Sequence, residues 1–229
     1  MPELEQGDRR EGGPRILAIA GGSCSGKTTL ADLVFEALGP ERSLILRTDN
    51  YYRADLLDYA GGGPVNFDVP AAIDFDLLCA NLAELKEGRP IEAPLWDFVS
   101  HRRRRETVRV EPRSVIVVEG IFALHSRELN AHYDHSCFIE CPENTRLERR
   151  IVRDVAERGR TEWSVREQFE VQVAPMHDEH VEPTKYLARR IVSQNEYCAS
   201  PFAVGESMIA GVTGEDFRIP GDLGGMPAA

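Results

Sequence analysis

The sequence predicts an α/β fold in which helices flank a mainly parallel sheet. Short, continuously apolar runs alternate along the chain with longer segments whose apolar residues recur at helical spacing. A glycine-rich loop joins the first apolar run to the first of these helical segments. At 229 residues, the chain has room for one sizeable domain of this class.

The apolar runs are the candidate strands, because a parallel strand covered on both faces is apolar throughout. In chain order they are residues 16–20, 43–46, 115–118, 137–139 and 191–192. The candidate helices are residues 30–38, 73–86, 145–158 and 166–173. Between residues 90 and 112 the pattern changes, because Val108 and Val110 alternate with polar residues. This alternation predicts a β-hairpin inserted beside the sheet.

The two ends of the chain differ from the domain between them. Residues 1–14 are polar and are expected to be a disordered lead-in. Residues 201–229 are rich in glycine and proline, and we expect a poorly ordered tail. The predicted domain therefore covers residues 15–200.

Composition narrows the classes of function. A net charge of -11 argues against nucleic acid as a partner, because neutralising phosphates requires a basic surface. No apolar run has membrane length, and no signal-like segment opens the chain. The five cysteines form no CxxC pair and no set with zinc spacing. We therefore expect a reduced, cytoplasmic enzyme that does not bind membranes.

The strongest motif is a phosphate-binding loop, which also places the domain among P-loop NTPases and kinases. It fits the pattern G-x-x-x-x-G-K-[ST] and consists of Gly21, Gly22, Ser23, Cys24, Ser25, Gly26, Lys27 and Thr28. The backbone N–H groups of such a loop surround phosphate oxygens, and the following helix adds its positive dipole end. Lys27 reaches the β- and γ-phosphates, and the Thr28 hydroxyl ligates Mg²⁺. The motif alone does not separate kinases from GTPases or ATPases.

Two carboxylates follow predicted strands. Asp49 and Glu119 come just after strand ends, and in open α/β sheets ligands lie outside the carboxyl ends of the strands. Phosphoryl transfer requires one carboxylate to accept the acceptor's proton and another to hold the metal. Asp49 suits the first role and Glu119 the second. The alternatives are an Asx turn at Asp49 and a solvated charge at Glu119.

An arginine-rich helix is the third candidate feature. Arg146, Arg150 and Arg153 share one helical face, and residues 158–160 (Arg-Gly-Arg) end the helix at a flexible joint. Such a segment, expected at about residues 145–165, would act as a lid that neutralises phosphate charge and excludes water. The alternative is a solvated face with salt bridges to Glu148, Asp154 and Glu157. The run at residues 102–105 is interpreted as a solvated face.

Taken together, these segments resemble the uridine kinase (uridine–cytidine kinase) family from about residue 15 to residue 183. The phosphate loop reads GGSCSGKTT and so extends to Thr29. The other matching segments are residues 48–52 (TDNYY), 66–68 (NFD), 94–101 (PLWDFVSH), 119–121 (EGI), 149–154 (RRIVRD) and 157–160 (ERGR).

The resemblance implies a role for each matching residue. Asp49 would be the general base on the sugar 5′-hydroxyl, acting with Lys27. The remaining roles would fall to Asp68 and Arg150 at the ribose, to Tyr52, Phe67, His101, Arg160 and Gln168 around the pyrimidine, to Arg153 and Arg158 at the phosphates, and to Thr28 and Glu119 at Mg²⁺. Trp96 stands in the base-binding hairpin where the family usually has tyrosine, so a donor-only indole replaces a phenol.

The resemblance also implies ATP (or GTP) as donor, Mg²⁺ as cofactor and a homotetramer. The expected reaction is phosphorylation of uridine or cytidine in pyrimidine salvage. One alternative is a sister kinase that acts on phosphoribulose, pantothenate or nicotinamide riboside. Trp96 and the altered C-terminal third, at residues 185–189 and 193–196, leave this alternative open. The other alternative is a nucleotide hydrolase or sensor, which would need no acceptor.

Overall fold

The computed structural model describes residues 13–53, 55, 65–98 and 100–219. The strands are β1 (Arg15–Gly21), β2 (Ser43–Arg47), β3 (Ile91–Asp97), β4 (Arg102–Val110), β5 (Val115–Glu119), β6 (His135–Glu140) and β7 (Arg190–Ser193). The α-helices longer than one turn are α1 (Lys27–Leu38), α2 (Phe75–Lys86), α3 (Arg127–Ala131), α4 (Glu143–Arg158), α5 (Glu162–Gln168), α6 (Gln194–Ala199) and α7 (Pro201–Thr213). Most of the lead-in, residues 1–12, lies outside the described residues.

A parallel sheet of order β2-β5-β1-β6-β7 forms the centre of the described part of the chain. Its strands coincide with the five apolar runs, so these predictions are confirmed. β1 lies in the middle, with Ile19 in register with Glu119 of β5 and Ala20 in register with Phe138 of β6. The carboxyl ends of these strands therefore reach the same edge.

Each face of the sheet is covered by its own core. On one face, α1 and α7 pack against inward residues of the strands, such as Leu17 and Ile19. On the other face, α2, the hairpin and α3 pack against the alternate residues, such as Ile16 and Ala18. Successive side chains of β1 point to opposite faces and so pack in both cores, as expected for a strand covered on both faces.

The expectation of a poorly ordered tail from residue 201 is wrong for its first part, where α7 forms. Met208 and Ile209 are fully buried on the sheet, and burying one such side chain contributes roughly 1.5–3 kcal/mol. Pro201 begins the helix and Gly214, at φ +77°, ends it. Residues 220–229 lie outside the described part of the chain.

The predicted hairpin is confirmed as β3 and β4, which pair antiparallel. The solvated interpretation of residues 102–105 is wrong for Arg103. Its guanidinium donates to the carbonyl of Tyr52 at 2.7 Å and pairs with Asp74 at 3.0 Å. Arg103 therefore ties the hairpin to the segment that follows β2.

The helical segment after α4 is longer than residues 166–173. It runs on from α5 through π turns at Phe169–Val173 and His177–Val181, separated by one α-helical turn. Pro175 lies within this path, and because proline has no N–H the regular α-helical ladder cannot continue through it. In the described ranges, no helix has the length and apolar character needed to cross a membrane.

Candidate active site

The candidate site lies at the carboxyl edge of the sheet. β1 leads into the phosphate loop, β5 ends at Glu119, and β2 leads through a 3₁₀ turn (Thr48–Tyr51) that contains Asp49. In-register pairing of Arg47 with Glu119 places the ends of β2 and β5 side by side. The two predicted carboxylates therefore both lie on the β5 side of the phosphate loop.

The phosphate loop has the left-handed backbone that its glycines predict. Gly26, at φ +102°, directly precedes α1, and a Cβ there would lie 2.7 Å from the ring of Tyr197. The Tyr197 hydroxyl donates to the Gly26 carbonyl at 3.4 Å. Lys27, Thr28 and Thr29 form the first turn of α1. Sequence reasoning missed Tyr197, since nothing in its own segment marks it as a support for the loop.

Thr28 and Glu119 come together as predicted. The Thr28 hydroxyl donates to Glu119 Oε2 at 3.2 Å, and Arg47 donates to Oε1 at 3.0 Å. Arg47 in turn pairs with Asp32 at 2.7 Å. Glu119 is only 5% exposed, so its carboxylate is held in one orientation. The Thr28 hydroxyl and the Glu119 carboxylate are hard oxygen donors beside a phosphate loop, which fits Mg²⁺. Arg47 and Asp32, which complete this network, were not predicted from the sequence.

Asp49 is an unusual carboxylic acid. Its pKa is raised to about 6, chiefly by burial and next by the nearby Glu119. Lys27 acts in the opposite direction, Asp68 raises the pKa again, and Arg158 lowers it. Charges from four separate segments of the chain therefore act on the Asp49 carboxyl. A pKa in this range suits a general base near neutral pH.

An aromatic cluster lies next to Asp49. The ring of Tyr52 packs 5.0 Å from Phe67 and 5.1 Å from Trp96, and Phe67 lies 5.2 Å from His101. Burial raises the pKa of Tyr52 well above its usual value, with Asp49 and Asp68 adding to the effect. The phenol therefore stays protonated. Four aromatic side chains from three separate segments thus form one cluster.

Polar side chains connect residues 66–68 and the phosphate loop to α4 and to the helical segment that follows it. Asp68 accepts a hydrogen bond from Gln172 at 2.8 Å. Gln168 accepts from both Arg150 and Arg160, while Arg150 also donates to Ser23 of the phosphate loop at 3.0 Å. The predicted acceptor-side residues are thus brought together. Sequence reasoning missed Gln172, which differs from Gln168 by one helical turn.

A cavity of about 510 Å³ lies on the side of the phosphate loop that faces away from Glu119 and Asp49. It is lined by the ends of β6 and β7, together with Arg146 and His177. A Cβ on Gly22 would lie 2.9 Å from both of these side chains, so the loop packs directly on the cavity wall. Burial and the neighbouring Arg146 lower the pKa of His177 to about 4, which leaves its imidazole neutral. The size suits a nucleotide base.

A phosphate loop, a partly buried carboxylate near it and an arginine-rich helix together define a P-loop kinase, which is a phosphotransferase. The chain belongs to the phosphoribulokinase/uridine kinase family, whose family model matches residues 16–197.

Named relatives agree with this membership. A uridine kinase of Staphylococcus epidermidis is 40% identical over 180 residues, which cover 78% of this chain and 87% of that protein. A uridine kinase of Geobacillus kaustophilus is 38% identical over 182 residues, covering 79% of this chain and 86% of its own.

Solved structures support the fold. A protein of Silicibacter sp. TM1040 has a TM-score of 0.66 and 22% identity, over 80% of this chain and 92% of its own. The D-glycerate 3-kinase of Cryptococcus neoformans has a TM-score of 0.57 and 18% identity, over 80% of this chain and 87% of its own. At these identities the similarity concerns the fold alone.

Proposed function

We propose that this protein phosphorylates the 5′-hydroxyl of uridine, cytidine or both, with ATP as donor and Mg²⁺ as cofactor, in pyrimidine salvage. The observation that carries the proposal is the position of Asp49. This carboxylate, with a pKa of about 6, lies near enough to Lys27, Arg158 and Asp68 for each of them to affect its pKa. A base between phosphate-binding cations and an acceptor pocket suits transfer to an alcohol better than hydrolysis.

In the proposed reaction, the Asp49 carboxylate accepts the proton of the 5′-hydroxyl. The hydroxyl oxygen forms a bond to the γ-phosphorus of ATP, and the bond to the β,γ-bridging oxygen breaks, which releases ADP. Lys27, Arg153 and Arg158 would offset the charge that spreads over the phosphoryl oxygens. When bound at Thr28 and Glu119, Mg²⁺ would neutralise phosphate charge.

The acceptor pocket would hold the nucleoside by its two parts. Asp68 and Arg150 would bind the ribose hydroxyls, since a carboxylate accepts and a guanidinium donates. Tyr52, Phe67 and His101 would pack against the pyrimidine, with Arg160 and Gln168 at its polar edge. Trp96 lies in the same cluster, and its Nε1–H is buried without a partner among the described residues. That free donor would suit a carbonyl oxygen of the base.

The cavity beside Gly22 would hold the base of the donor. Its polar lining includes Gln194 and Asn195, which follow β7 directly. Amide groups can pair with the edge of adenine, and equally with guanine, so GTP stays an alternative donor.

Assembly and location complete the proposal. We expect a homo-oligomer, with a homotetramer as the specific form, because the chain resembles uridine kinases. All five cysteines are free, which fits a reducing compartment such as the cytoplasm.

The direct test is ADP release from Mg·ATP or Mg·GTP with uridine, cytidine, nicotinamide riboside, pantothenate or ribulose 5-phosphate as acceptor. Stimulation by uridine or cytidine alone supports the proposal. Stimulation by one of the other acceptors would establish a sister kinase. Release that no acceptor changes would establish a hydrolase and contradict the proposal.

A further inference from the structure

One carboxylate on the lid has an unusual set of neighbours. Asp154, on α4, is fully buried, and the guanidinium groups of four arginines surround it. Their closest contacts with the carboxylate are 2.8 Å for Arg153, 3.5 Å for Arg150 and Arg158, and 3.6 Å for Arg160. The alternative of a solvated face is therefore confirmed in its salt bridges to Asp154 but wrong for the exposure of Arg150, which is buried together with Asp154.

The two oxygens of Asp154 contact different pairs of arginines. Oδ1 faces Arg153 and Arg158, and Oδ2 faces Arg150 and Arg160. The Oδ2 pair also shares the Gln168 side chain on the acceptor side. On the Oδ1 side, Arg158 is near enough to affect the pKa of Asp49. A single carboxylate thus lies between acceptor-side and phosphate-side cations.

The cluster carries more positive than negative charge. Four guanidinium groups contact the one Asp154 carboxylate, and the further carboxylates that act on them are Asp68, on Arg150, and Asp49, near Arg158. Asp154 Oδ2 and Arg150 Nε have no hydrogen-bond partner among the described residues, although they are 3.5 Å apart. Without a central anion, four guanidinium groups at this spacing would repel one another. Asp154 holds them together, and the remaining positive charge can act on phosphate oxygens.

We propose that Asp154 is a positioning residue, whose buried carboxylate fixes the spacing of the four lid arginines so that phosphoryl and acceptor groups are aligned together. This inference rests on the proposed phosphotransfer. Asp154 touches no substrate and acts only through the guanidinium groups. Displacing a catalytic group by about 1 Å can reduce a rate by about 10²-fold, so the effect should fall on turnover.

The test is Asp154→Asn, which keeps the volume and the backbone. The Asp154 carbonyl still accepts from the N–H groups of Gly159 and Arg160, so the helix end is retained. We expect kcat to fall about 10²-fold. The Kd of Mg·AMPPNP should stay within about threefold or decrease, because the variant presents more positive charge to the phosphates. Glu157→Gln, an exposed change of the same charge on α4, is the matched control.

A double-mutant cycle separates positioning from folding. If Asp154 acts through the arginines, Asp154→Asn should cost markedly less in an Arg153→Ala background than in the wild type. An unchanged kcat in Asp154→Asn would overturn the proposal. So would additive effects, or a kcat loss accompanied by weaker Mg·AMPPNP binding and a lower Tm, since these indicate a collapsed lid.

The proposed function is judged separately, from the wild type alone. If uridine and cytidine do not stimulate ADP release, that function fails. Asp154 is then judged by the ratio of variant to wild-type turnover with whichever acceptor does stimulate. If no acceptor stimulates, the same ratio is measured for acceptor-independent hydrolysis.

Discussion

The donor side and the acceptor side of this site are built in opposite ways. The phosphate-binding part of the donor side depends on one continuous stretch, residues 21–29, which β1 and α1 hold in place. The acceptor side joins side chains from the 3₁₀ turn after β2, residues 66–68, the hairpin and the lid. A continuous loop is a local property of the chain, whereas an assembled pocket depends on the fold. Acceptor specificity can therefore change through single residues without disturbing phosphate binding.

The largest effect is expected where the two sides meet. Asp49→Asn should lower kcat by about 10²–10⁴, the usual contribution of a general base. In the wild type, kcat/KM should fall about tenfold per pH unit below about pH 6, because the Asp49 carboxyl is then protonated. The variant should lack this acid limb.

The control for Asp49 is Asp76→Asn, an exposed carboxylate on α2, which should retain wild-type turnover. Mg·ATP binding, measured by calorimetry, should be unchanged in both variants. If Asp49→Asn keeps near-wild-type turnover, Asp49 is not the general base, and the donor and acceptor sides are not linked through it.

Asp49 should also reduce the stability of the fold. Its folded pKa of about 6 lies above the ordinary aspartate value of 3.8, so the folded state binds the proton more tightly than the unfolded state. Its stabilising contribution is complete below about pH 4 and is lost as the pH rises through 6. At roughly 1.4 kcal/mol per pKa unit, Asp49→Asn should raise the free energy of unfolding by about 2–3 kcal/mol at pH 8. Denaturant unfolding at pH 4 and pH 8 tests this, and a gain that does not depend on pH would contradict it.

A donor-side change should affect only the donor. In Gly22→Ala, the new Cβ would lie 2.9 Å from Arg146 and His177, so the loop or the cavity wall must move. We expect the KM for ATP to rise about tenfold, with the KM for the acceptor unchanged. Gly88→Ala is the control, since its φ of +76° strains the backbone but nothing lies within 4 Å. Equal changes in both KM values would show that the two sides are coupled through the loop.

The smallest effect is expected at the acceptor side. Trp96→Tyr restores a hydroxyl that both donates and accepts, so it should change the uridine-to-cytidine ratio of kcat/KM by about 3- to 10-fold. ATP affinity should stay the same. Phe98→Tyr, at an exposed position just after β3, should change neither quantity. If Trp96→Tyr alters only the KM for ATP, the hairpin does not belong to the acceptor pocket.

Much of the architecture was predictable, because buried parallel strands have a direct signature in the sequence. The apolar runs located the sheet, and the alternation at Val108 and Val110 located the hairpin. The helix α7 was not predicted, because glycine and proline in its segment suggested disorder. Its order comes from burial of Met208 and Ile209 on a sheet that lies far away in sequence.

The sequence by itself determined the phosphate loop of the donor site, since Lys27 and Thr28 follow the glycines at fixed spacing and the strand and helix around them are local. It also supplied the acceptor residues, but only through their order in a family resemblance. The tertiary structure alone decided the environment of each charge. Burial beside Glu119 made Asp49 a weak acid, and a dry position among arginines gave Asp154 its neighbours. Charge environments arise from contacts between segments distant in sequence, which no local pattern encodes.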